Sequence, residues 1–189
     1  MMIFWWLWGK GSVLYRRQLL ALLGVTFVAL VTARMAQNML PFSTRPLLTE
    51  GLAYRPPAGV QIGSYADESS LPSDHAAMFF AIAFGLFTIH RGAGLLALIH
   101  AALVPCLPRI YLGMHWPSDI VAGIALAAVV AFGLMPVLTR RVITPAFYGW
   151  WQRHMALLYP LLFLATYLCA TMFVSLRRLI KDMALILSG

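Results

Sequence analysis

The stretch LLALLGVTFVALVTARMAQNML, residues 19–40, decides the class of fold. At about 1.5 Å per residue a helix of this length crosses the ~30 Å apolar layer of a bilayer. It is not uniformly apolar. Arg34, Gln37 and Asn38 fall at i, i+3 and i+4, on one helical face near its end. That face must meet protein or water instead of lipid. The rest of the chain agrees with the stretch. It is 61% hydrophobic and 11% charged, with mean hydropathy +0.81. A soluble domain is nearer about 45–50% apolar and about 25% charged. These values exclude a soluble globular enzyme, a disordered protein and a nucleic-acid-binding domain. The expected fold is an all-α polytopic transmembrane helix bundle of five to six spans, forming one membrane-embedded domain over residues 1–189.

Further apolar runs predict helices over 73–89, 93–107, 119–138 and 155–176, with a tight turn at His90-Arg91-Gly92. The second and third runs are short for a full crossing. Residues 41–73 break the pattern with five prolines and three of the six acidic residues, and read as a water-exposed functional loop. The tryptophans before Lys10 and the pair Trp150-Trp151 read as interfacial anchors. Cys106 and Cys169 read as core thiols, and His100 as a hydrogen-bonded bundle histidine.

The net charge is +8, but the fourteen basic residues are scattered, without the stripe that binds nucleic acid. Five spans place the loops 41–73 and 108–118 on one side, with Arg45, Arg55 and Arg109. Lys10, Arg16, Arg17, Arg91, Arg140, Arg141 and Arg153 lie on the other. The positive-inside rule then puts the two loops outside the cytoplasm. Arg177, Arg178 and Lys181 run against this assignment.

Three segments on that outer side carry chemistry: Thr44-Arg45-Pro46, Leu71-Pro72-Ser73-Asp74-His75, and Pro108 to Asp119. Two arginines, two histidines, a serine at a helix start and an aspartate four residues after a histidine suit a phosphoryl group. The guanidinium fork matches phosphate oxygens and keeps its charge. Ser73 can cap the second helix, whose first N–H groups then point at an anion. A histidine attacks phosphorus when its other ring nitrogen donates to a carboxylate, and Asp119 is within reach of His115. A second histidine, His75, can protonate the leaving oxygen. No carboxylate cluster is present for magnesium or calcium. No metal or cofactor is therefore expected, and arginines and backbone dipoles must meet the phosphate charge.

At these residues the sequence resembles the type 2 phosphatidic acid phosphatase superfamily. Its motifs read lysine-six-residues-Arg-Pro, Pro-Ser-Gly-His, and Ser-Arg-five-residues-His-three-residues-Asp. Arg45-Pro46 matches the end of the first, Pro72-Ser73-x-His75 the second, and Arg109-x5-His115-x3-Asp119 the third. The resemblance covers residues 34–138. Three positions depart from it. Asn38 stands where the first motif has lysine, with Arg34 one helical turn back; Asp74 replaces the glycine, where only a backbone N–H is needed; Pro108 replaces the serine. Arg55-Pro56 is an alternative Arg-Pro pair. Pro-Ser-Asp-His, with Tyr-Leu-Gly-x-His-x-Pro-Ser-Asp, is most similar to the bacterial undecaprenyl-diphosphate phosphatase branch.

The resemblance implies a lipid phosphate substrate in the inner (plasma) membrane of a bacterium, with the site facing the periplasm. It implies catalysis by His115, His75 and Asp119 through a phosphohistidine. Arg45, Arg109, Ser73, Asp74, Asn38 and Arg34 are the candidate phosphate-binding residues. Arg34 otherwise anchors its helix. Phosphatases or phosphotransferases of phosphatidylglycerol phosphate or lipid A are rivals of the same class. A non-catalytic lipid-phosphate binder or transporter is the rival of another class.

Overall fold

The computed structural model describes residues 2–52, 54, 68–171 and 183. Every regular element among them is helical. In chain order these are α1 (Met2–Lys10), α2 (Val13–Met39), α3 (Asp74–Ile89), α4 (Arg91–Ala101), α5 (Leu107–Tyr111), α6 (Pro117–Val137), α7 (Pro145–Arg153) and α8 (Met155–Ala170). A short 3-10 turn lies at Pro46–Leu48, and wide π turns at Ala102–Cys106 and Leu138–Val142. Three helical stretches are long and apolar enough to cross a membrane: Val13–Met39, Arg91–Tyr111 and Pro117–Val142. Asp74–Ile89 and Met155–Leu168 are shorter apolar helices.

The first long helix begins at Val13, not Leu19, because Ser12 caps it and accepts from the Tyr15 N–H. Arg16 and Arg17 therefore lie within α2. Arg16 Nε donates to the Trp8 carbonyl at 3.0 Å, while Arg17 donates to Ile143 and Thr139 carbonyls at 2.6 and 2.8 Å. Both arginines thus satisfy carbonyls at helix ends. His90 is the whole turn between α3 and α4. It ends α3 in extended conformation, and its Nδ1 accepts from the Ala93 N–H at 3.1 Å.

The third apolar run does not stop at Pro108. Pro105 sits in the π turn and Pro108 in the first turn of α5, so the helix reaches Tyr111. The expectation that it is too short to cross is corrected accordingly. A π turn absorbs the missing proline donor by widening the backbone. Thr144 caps α7, the helix that carries Trp150 and Trp151. Trp8 is buried inside the protein. Its indole donates to Tyr159 Oη at 2.7 Å and joins a cluster with Phe4 and Trp5. His100 lies exposed, 6.2 Å from the Phe79 ring, and is not a bundle histidine. Cys106 is buried. The Cys169 side chain and the predicted end of the last helix, with Arg177, Arg178 and Lys181, lie outside the described residues.

Helix α3 is the axis of the bundle, packed against α2, α4 and α6. Ala76, Ala77, Ala81 and Ala83 of α3, Ala127 and Ala131 of α6, and Ala29 and Ala33 of α2 are all fully buried. Small side chains let apolar helices approach closely, which is how packing is achieved without a hydrophobic drive in lipid. One such close approach, at the start of α3, is at Gly123 of α6. A Cβ there would meet the Ser73 carbonyl oxygen at 2.6 Å and Ala76 Cβ at 2.8 Å. This approach brings the first turns of α3 and α6 together at one end of the bundle.

Candidate active site

That end is formed by the C-termini of α2 and α5 and the N-termini of α3 and α6. Ser73 caps α3, its Oγ accepting from the Ala76 N–H at 3.4 Å, and its own N–H donates to the Asp119 carbonyl at 3.0 Å. Pro117 opens α6, where a missing donor costs nothing. Asp119 Oδ2 accepts from the Trp116 N–H at 2.8 Å. The three predicted segments converge. The Trp116 indole donates to the Thr44 carbonyl at 2.9 Å, Leu47 N–H to Gly113 at 2.8 Å, and Arg45 Nη1 to Met114 at 3.0 Å. Gly113 adopts φ 67°, and a side chain there would run into the Tyr54 ring. The turn that delivers His115 therefore depends on glycine.

His115 is 3% exposed and Asp119 1%. The His115 Nδ1 lies 3.0 Å from the Ser70 carbonyl and 3.6 Å from Asp119 Oδ2. A carbonyl only accepts, so Nδ1 carries a proton, and Nε2, the other ring nitrogen, points away from it. The spacing predicts that Nδ1 donates to Asp119, whose carboxylate instead stands 3.6 Å away, beyond hydrogen-bond distance. The hydrogen bond that orients the ring comes from Ser70, because Asp119 Oδ2 is the acceptor for the start of α6. Ser70 was absent from the predicted site, and a carbonyl has no sequence signature.

His75 lies on the first turn of α3, partly exposed. Asp74 Oδ1 accepts from its N–H at 2.8 Å and stands 2.8 Å from its Nδ1. Asp74, His75 and His115 each bring one potential ligand atom within 4.8 Å of the others. The two histidines therefore share one small space. Two of the first-turn donors expected to face a phosphate, those of His75 and Ala76, are taken by Asp74 and Ser73.

Arg45 is buried, with Nη2 3.7 Å from Glu68. Arg109 sits on α5 instead of in a loop. Its Nη1 donates to the Pro105 carbonyl at 2.7 Å, and it lies within electrostatic reach of His75. Arg34 reaches the same end: its guanidinium pairs with the Asp74 carboxylate and lies 3.8 Å from Glu68. Gln37, beside it on α2, donates to the Pro72 carbonyl at 2.9 Å. Asn38 is exposed. Arg55 lies outside the described residues. Gln37 and Glu68 are further residues that the sequence did not assign to the site.

A protein-family model described as the PAP2 superfamily matches residues 18–143, and the chain belongs to that superfamily. Among curated proteins, it is 31% identical over 101 residues to the bacitracin transport permease protein BcrC of Bacillus licheniformis, covering 53% of this chain and 44% of that protein. It is 30% identical over 120 residues to the putative undecaprenyl-diphosphatase YbjG of Escherichia coli (strain K12), covering 63% of this chain and 55% of that protein. The chain spans about half the length of these curated relatives. No solved structure matches it. The apolar helices and these relatives make it a membrane protein.

Proposed function

We propose that the chain is a lipid phosphatase that removes the terminal phosphate of a polyprenyl (undecaprenyl) diphosphate. The observation that carries this reading is the meeting of His75 and His115, delivered by two different helix starts, beside two arginines. Arg45 and Arg109 hold the phosphate, with Ser73 and the Asp74 N–H beside them. The Nε2 of His115 attacks phosphorus in line, and the bond to the leaving lipid phosphate breaks as His75 donates a proton to its bridging oxygen. Asp119 stabilises the positive charge gained by His115. His75 then takes a proton from water, which attacks the phosphohistidine, breaks the P–N bond and releases inorganic phosphate. Arginine and dipole charge carries the phosphate through these steps without a metal. The bundle crosses the inner membrane five times, through α2, α3, α4–α5, α6 and α8, with the site on the periplasmic side.

Phosphate release by the purified chain tests the reading directly, measured in detergent across prenyl diphosphates, phosphatidylglycerol phosphate and lipid A. Release from prenyl diphosphate, lost in His115→Ala, is the expected result. Preference for another lipid phosphate reassigns the substrate. Binding without release makes the chain a binder or transporter.

A further inference from the structure

The pair Arg34–Asp74 stands where the superfamily pattern has neither residue, and the geometry gives it a task. Asp74 is 4% exposed, so its carboxylate must be met by donors or cost several kcal/mol of stability. Its two oxygens have different partners. One engages both the backbone N–H and the ring Nδ1 of His75; the other pairs with the Arg34 guanidinium. Asp74 therefore ties the ring of His75 to the first turn of α3. An acceptor on Nδ1 leaves Nε2 as the ring atom that exchanges the reacting proton.

We infer that Asp74 is the positioning residue of His75, and that Arg34 acts through Asp74 by balancing its charge. This rests on the reading of His75 as the group that protonates the leaving oxygen. The site then contains two carboxylate–histidine pairs: Asp119 beside the nucleophile and Asp74 beside the proton donor. An uncompensated carboxylate at the start of α3 would repel the substrate phosphate. Arg34, one turn before Asn38 on α2, removes that repulsion while Gln37 fixes the chain entering α3 through Pro72. Arg34 thus occupies the region of the missing motif lysine by serving the protein's own anion.

Two double-mutant cycles on a short-chain prenyl diphosphate test the inference, reading kcat and KM separately. Asp74→Asn keeps the shape and removes the charge. It is expected to lower kcat by about tenfold to hundredfold, no more than the ~10²–10⁴ that a general acid itself supplies, with KM within about twofold. On a His75→Gln background the same change is expected to alter kcat by less than about twofold, because Asp74 then has no ring to position. Arg34→Gln is expected to lose its effect on an Asp74→Asn background. If Asp74→Asn does not fold, Asp74→Gly, the superfamily residue, takes its place in both cycles. Additive losses on the His75→Gln background overturn the role of Asp74. A rise in KM from Arg34→Gln that persists without Asp74 makes Arg34 a direct phosphate ligand and overturns its part. His75→Gln retaining full kcat refutes the reading of His75 itself, an outcome distinct from both.

Discussion

The backbone N–H of Ser73 donates to the carbonyl of Asp119 at 3.0 Å, tying the cap of α3 to the first turn of α6. His75 follows the first residue by two positions and His115 precedes the second by four. One backbone hydrogen bond thus joins the two segments that carry these histidines. Gly123 allows it, since a Cβ there would strike the Ser73 carbonyl at 2.6 Å, a backbone atom that cannot rotate away. Gly123→Ala should lower stability by about 1–3 kcal/mol, the scale of overpacking. It should also depress kcat beyond the loss of folded protein. Thermal unfolding in detergent beside active-fraction kinetics checks this, and unchanged kcat per folded molecule would show that the helix starts tolerate separation.

Removing the proposed nucleophile should be more severe than any other single change. We expect His115→Ala to lower kcat by at least about 10³-fold, as for members of a catalytic unit. The protein should remain monodisperse by size-exclusion chromatography. Residual activity within about tenfold of wild type would exclude His115 as the attacking group.

Asp119 has two tasks that its variants separate. Asp119→Asn retains an oxygen for the Trp116 N–H and loses the charge beside His115. Its kcat should fall while its Tm changes little. Asp119→Ala loses the cap as well, at a further cost of about 1 kcal/mol in stability. Equal Tm losses in the two variants would show that charge, not capping, holds the start of α6.

Hydrolysis should continue in EDTA. Arg45 and Arg109 supply fixed positive charge at the site, and Asp74 is already matched by Arg34. Phosphate release before and after chelation, with added divalent ions as a control, decides the matter. Loss of activity that a divalent ion restores would assign the Asp74–His75–His115 cluster to a metal.

Much of this site is legible in the sequence, and what is not has a physical reason. Apolar runs and motif spacing identify His75, His115, Asp119, Arg45 and Arg109, because side-chain chemistry at fixed intervals leaves a written pattern. Ser70 escapes, since it acts through a carbonyl that every residue possesses. Glu68 escapes because its partners Arg34 and Arg45 are distant in sequence, and Gln37 shows as part of a polar helix face without revealing its distant partner Pro72. The helix carrying Arg109 reads as ending at Pro108, since proline normally stops a helix. The π turn over Ala102–Cys106 accommodates Pro105 and carries the helix on to Tyr111.

The Arg34–Asp74 pair also restricts how this sequence can change over generations. Replacing Asp74 by glycine alone leaves the Arg34 guanidinium with only the more distant Glu68 carboxylate, at 3.8 Å. Removing Arg34 alone strands a buried carboxylate beside an incoming phosphate. A change at either residue of the pair is therefore expected to cost more alone than together with a change at the other. The two positions therefore constrain each other, and a loss at either is expected to select for a compensating change at the other.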